Sequence, residues 1–149
     1  LVTGDRLVAL AGIAAGLGGD VRVTRQQNLV LTGVPTARLE ETLGAVRAAG
    51  FELDASALRG SSIACTGEPH CNFSVTETKT RMDALVQGLE ARFGDAVDGL
   101  RLHLDGCPHA CAQHWVGDLG FQGTTVRDAP APSPVRARPE LAQLVKSTI

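Results

Sequence analysis

The chain has 149 residues, 44% of them hydrophobic, and carries 14 Lys and Arg against 16 Asp and Glu, a formal net charge of −2. That length suits one domain or two small lobes, and the apolar fraction can supply a core. The near-neutral charge leaves no nucleic-acid footprint, no apolar run reaches membrane-spanning length, and the opening residues lack the pattern of a secretory signal. A cytoplasmic chain that binds neither nucleic acid nor membrane is expected.

Residues 1–18 read as a helix. Leu7, Leu10, Ala11, Ala14 and Leu17 recur at helical spacing, Asp5 suits the start, and Gly16, Gly18 and Gly19 end it. Strand-like runs follow at 21–24 and 29–34, joined by the polar turn at 25–28. Pro35 and Thr36 open a second helix with Leu39, Leu43 and Val46 on one stripe, closed by Gly50. Helix, strand, strand, helix is half of a split β-α-β unit, which needs a partner to complete its sheet.

Residues 51–60 read as a connector, and 61–64 as a short apolar run leading into Cys65. The longest helix is predicted over 75–93, with Met82, Leu85, Val86, Leu89 and Phe93 inward and Gly94 as its cap. Leu100, Leu102 and Leu104 alternate with Arg101 and His103, the pattern of a half-buried strand. Gly106 breaks it, and Cys107 and Pro108 are placed to begin another helix. A strand is expected at 119–125. Residues 129–139 hold four of the seven prolines and read as a linker, followed by a short terminal helix at 140–146.

The four cysteines stand at Cys65, Cys71, Cys107 and Cys111. Without a secretory signal, a disulfide scaffold is the weakest reading. On a helix, Cys107 and Cys111 share one face and can grip one inorganic centre, at a terminus that favours thiolates. The first pair is six apart, which suits a loop around a larger object, with Gly67 and Pro69 shaping the turn. Zinc modules prefer closer pairs, whereas a four-iron cluster tolerates a looser loop. Spacing alone leaves cluster and structural zinc about equally placed. His109, held between two cysteines, is placed to donate to sulfur. His70, His103, His114, Arg22, Arg101, Glu77 and Lys79 read as structural or surface residues, and Trp115 as core.

The flanking residues resemble a known family. The stretch from Ala64 through Cys71, then Glu77, Thr78 and Lys79, the run from Gly106 to Gln113, and Asp118, Leu119, Gly120 and Phe121 are similar to the sirohaem and [4Fe–4S] half of nitrite and sulfite reductases. Residues 22–29 resemble the ferredoxin-like half-domain of the same family, and the likeness covers about 1–127. It implies an α/β (α+β) fold: a ferredoxin-like half-domain over 1–58, a partial sirohaem/[4Fe–4S] domain over 59–128, then the linker and terminal helix over 129–149. It further implies that Cys65, Cys71, Cys107 and Cys111 ligate a [4Fe–4S] cluster and that Cys111 is also the axial thiolate of sirohaem, the catalytic position. Arg25, Gln27 and Asn28, with His109, are the chosen cofactor contacts, since a guanidinium and amides suit anionic edges. The implied reaction is the six-electron reduction of a small anion, nitrite to ammonium or sulfite to sulfide. Electrons would come from a ferredoxin-like or flavoprotein donor.

The blocks around Cys65, Glu77 and Asp118 look more like the nitrite type. A sulfite reductase or a precorrin-3B synthase of the same family is the alternative. His109 and Ala110 depart from the asparagine and small residue usual between the last two cysteines, and His70 from the usual aromatic. Beyond Arg127 the family continues into a glycine-rich strand where this chain turns proline-rich. The anion-binding residues belong mostly to the N-terminal half of a repeated protein. The chain is therefore expected to be one lobe that needs that half as its partner and does not turn over alone.

Overall fold

A computed structural model describes residues 2–125 and 136–137. It divides the chain into two compact units, Leu1–Ala55 and Ser56–Ile149.

In the first unit, helix α1 (Gly4–Leu17) leads to strands β1 (Val21–Val23) and β2 (Leu29–Leu31), a 3-10 turn (Thr36–Arg38) and helix α2 (Leu39–Ala48). Gly18, at φ 69°, stops α1 by turning its backbone left-handed, and the Gly19 N–H returns to the Ala14 carbonyl at 3.0 Å. The strands form an antiparallel hairpin with Val21 opposite Leu31 and Val23 opposite Leu29. The expected helical stripes are buried only in part. Leu10 and Ala14 are buried on α1 while Leu7 is exposed, and on α2 Val46 is buried while Leu39 is exposed. Thr42 takes an inward place that no apolar stripe marks, because its hydroxyl donates back to the Arg38 carbonyl at 2.8 Å.

The second unit contains α3 (Ala57–Ser61), β3 (Ile63–Ala64), α4 (Lys79–Phe93), β4 (Leu102–Asp105), β5 (Leu119–Gln122) and β6 (Arg136–Ala137). The residues read as a plain connector therefore include a helix. Its start is capped by Ser56, whose hydroxyl accepts the Arg59 N–H at 3.1 Å, and it drives Leu58 fully into the core. The sheet order is β3-β4-β5-β6, with the first three strands parallel and β6 antiparallel to β5. Strand β6 lies within the stretch read as a linker. The rest of that stretch and the predicted terminal helix fall outside the described residues.

Strand β4 corrects the expected half-buried alternation: all four of its residues are buried. A parallel strand between two others is covered on both faces. Leu102 and Leu104 join Leu58, Met82, Val86, Leu89 and Leu119 in the main core. His103 and Asp105 occupy the alternate positions and are buried as well. Among the described residues no helix is long and apolar enough to cross a membrane.

Candidate metal centre

The two cysteine loops leave the same end of the parallel strands. Cys65 directly follows β3, and Cys107 lies two residues past β4. Open α/β sheets place their ligands outside these carboxyl ends. Main-chain bonds stitch the loops together. The Cys65 N–H donates to the Leu104 carbonyl at 2.9 Å, and the Val75 N–H to the Gly106 carbonyl at 2.9 Å. The Gly106 N–H donates to Cys65 Sγ at 3.1 Å, an N–H···S bond of the kind that tunes thiolate-held centres. Ala112 packs with Ile63 and Cys65 in a small second core. The rings of Phe73 and His109 meet edge to face, 4.9 Å between centroids, joining the loop of the first pair to that of the second.

All four cysteines are free thiols. Cys65 and Cys107 are buried, Cys71 is partly covered and Cys111 is exposed. Among the described residues no three His, Cys, Asp or Glu side chains converge on a single ion. A four-iron cluster spreads its thiolates over separate irons, so convergence on one point is not what it asks of them.

The helix expected at Cys107 and Pro108 is absent. The chain instead makes two successive turns, closed by Ala110 N–H to the Cys107 carbonyl at 3.3 Å and Gln113 N–H to the Ala110 carbonyl at 2.8 Å. Ala110 (φ 54°) and Gln113 (φ 56°) are left-handed, which a helix does not allow. The cause is Asp105. Its carboxylate captures the Ala112 N–H at 2.6 Å and the His114 N–H at 3.0 Å, donors that a helix would have turned to its own carbonyls. Shared helix face and helix dipole therefore play no part at Cys107 and Cys111, and the loop is shaped by bonds to a strand-end aspartate.

Sequence reasoning missed Asp105 and undervalued its neighbours. His103, read as pointing away from the core, is buried, and its Nδ1–H donates to the Gln113 carbonyl at 3.0 Å. His114 Nδ1–H donates to Asp105 at 2.9 Å. Trp115, read as core, is 59% exposed. Lys79, read as surface, is half-buried, and its ammonium donates to the Ala64 carbonyl at 2.7 Å. Burial lowers its pKa, against the opposing influence of Cys65 and Glu77. The available signal was a charged residue at the end of an apolar strand, immediately before a Gly-Cys-Pro turn.

The helix predicted from residue 75 begins at Lys79, with Thr78 at the cap position and the Glu77 carboxylate holding N–H groups of its first turn. Glu77 accepts the Thr80 N–H at 2.8 Å and the Arg81 N–H at 3.1 Å, and the Thr78 hydroxyl donates to the Cys65 carbonyl at 2.7 Å. The bond from the Thr80 N–H is the largest influence holding the Glu77 carboxyl below its usual pKa. A depressed carboxylate stabilises the fold above its unfolded pKa of about 4.3 and loses that effect as pH falls through the folded value. The Tm difference between the wild type and Glu77→Gln should therefore be largest above about pH 5 and shrink toward acid. A pH-independent difference would assign the loss to packing.

Arg25, Gln27 and Asn28 lie in the first unit, exposed on the hairpin turn. Thr24 shapes that turn: its hydroxyl accepts the Asn28 N–H at 3.1 Å, and its carbonyl accepts the Gln27 N–H at 3.0 Å. Gln27 is left-handed at φ 63°.

Comparison with known proteins accounts for both units. The nitrite/sulfite reductase ferredoxin-like half domain matches residues 1–49. Ferredoxin–nitrite reductase of Synechococcus elongatus is 39% identical over 127 residues, covering 85% of this chain and 25% of that protein. Sulfite reductase [ferredoxin] 1 of Mycolicibacterium paratuberculosis is 38% identical, covering 82% of this chain and 23% of that protein. The solved structure of the Mycobacterium tuberculosis NirA protein superposes with a TM-score of 0.76 at 32% identity, covering 90% of this chain and 26% of that one. The chain thus spans about a quarter of the length of these relatives. Half-domain match, sequence identity and shared structure together place the chain in the nitrite/sulfite reductase family.

Proposed function

We propose that this chain is the cluster-bearing lobe of a sirohaem-dependent nitrite or sulfite reductase. The observation that carries the reading is the placement of four free thiols on two stitched loops at the carboxyl ends of β3 and β4. The donor set fits the group: Cys65, Cys71, Cys107 and Cys111 would hold a [4Fe–4S] cluster, with Cys111 shared with sirohaem. When bound, these groups would relay electrons from an external donor to the anion for its six-electron reduction.

The chain's own residues do the positioning. The Gly106 N–H directs a donor at Cys65 Sγ. The half-buried Lys79 ammonium ties down the carbonyl just before Cys65, and its positive charge offsets thiolate charge nearby. Ala112 and Ile63 shield the buried side of Cys65 from water. Cys111 is exposed, which leaves it accessible to a second group. Arg25, Gln27 and Asn28 would meet the carboxylates of sirohaem. The N-terminal half of the enzyme would supply the anion-binding side chains, and a ferredoxin-like or flavoprotein donor the electrons. The blocks around Cys65, Glu77 and Asp118 favour nitrite over sulfite.

The test is to purify the full natural protein without oxygen and to record its visible spectrum, its iron and sulfide content and its turnover of nitrite and sulfite with a reduced donor. A coloured, iron-loaded protein that reduces either anion is expected. A colourless protein with stoichiometric zinc would overturn the proposal.

A further inference from the structure

Asp105 is 1% exposed, and its carboxylate is held by main-chain N–H groups and a histidine ring. A buried carboxylate is costly unless its oxygens are satisfied. Here Oδ1 accepts the Ala112 N–H, while Oδ2 accepts the His114 N–H and the His114 ring Nδ1–H. All of these donors lie just beyond Cys111. At the near end, the Asp105 carbonyl accepts the Gly123 N–H at 2.7 Å, which fixes the strand from which the loop departs. Between these anchors the backbone passes through left-handed Ala110 and Gln113. Non-glycine residues persist in that region only when their surroundings over-determine them.

We propose that Asp105 is the positioning residue of the second cysteine pair: its buried carboxylate folds the 106–114 loop into the one shape that presents Cys107 and Cys111 to the cluster. The proposal rests on the reading of those cysteines as ligands. An amide cannot substitute. Asparagine offers one acceptor oxygen, and its NH2 group would face an N–H donor at the other position.

The test uses the full natural chain in its metal-free form. Iodoacetamide alkylation of each cysteine is timed by mass spectrometry under native conditions, and iron and sulfide retention is measured separately after anaerobic reconstitution. In Asp105→Asn, the Cys107 rate should rise about tenfold, the scale of losing a charged hydrogen bond. Amide exchange at Val86 and Leu89, in the separate core on α4, should keep its rate, and cluster retention should fall. An unchanged Cys107 rate would sink the proposal, as would an equal rise in exchange at Val86 and Leu89, which marks general loosening. If Asp105→Asn does not fold, His114→Ala removes the ring bond to Asp105, with the edge-to-face contact to Trp115, and leaves both main-chain bonds. It should raise the Cys107 rate by about threefold, and no change there overturns the idea. If wild type takes up no cluster but Cys107 responds as stated, Asp105 keeps its role and the reductase reading fails.

Discussion

Gly120→Ala is expected to destabilise the protein by about 3 kcal/mol, the upper end for inserting a methyl group into a filled space. Gly120 lies in β5 between His103 and Arg136. A Cβ there would overlap the His114 carbonyl oxygen and crowd its carbonyl carbon. The obstacle is backbone, not the end of a flexible side chain, so the 3-10 turn at His114–Val116 would have to lift. Lifting it pulls the His114 N–H away from Asp105. The loss of stability should therefore come with freer access to Cys107. Urea unfolding measures the first effect and thiol alkylation the second. Gly88→Ala is the control: Gly88 lies in α4, and a methyl group on its Cα would have nothing within 4 Å. Replacing it should stabilise by roughly 0.5–1 kcal/mol through helix propensity. Equal midpoints for the two variants would contradict the overlap at His114.

Cys111→Ser is expected to abolish cluster retention while leaving the metal-free fold untouched. Cys111 is exposed, so its sulfur has little packing to lose. In the proposed site it is a ligand, and a hydroxyl is a poor replacement for a thiolate on iron. Iron content after anaerobic reconstitution should drop to background, with the Tm of the metal-free variant within about 2 °C of wild type. Cys65→Ser should lose the cluster too, but also lower the metal-free Tm. Cys65 is buried, packs with Ile63 and Ala112, and accepts the Gly106 N–H. Unfolding of metal-free Cys111→Ser would instead point to a structural role for that thiol.

Much of the fold was legible in the sequence because it depends on local chemistry. Gly18 and Gly94 end helices where a left-handed backbone is needed. Apolar spacing located α4, and the β-rich runs located β1, β2 and β5. The cysteine pattern with its flanking blocks pointed to the family that the comparisons establish. Residues 57–61 were missed because five residues make too weak a periodic pattern to register as a helix.

The shape of the 106–114 loop was decided by tertiary structure alone. Local signals at Cys107 and Pro108 favour a helix start. They were overruled by a carboxylate that β4 carries into the interior, where satisfying it with main-chain N–H groups outweighs the preference for helical bonds. Burial of β4 on both faces had the same origin, since it depends on the neighbours β3 and β5. The sequence by itself determined where the thiols stand: four cysteines in two spaced pairs. Only the tertiary structure decided how the second pair is presented, because that depends on Asp105 being held in a low-dielectric interior where few donors are within its reach.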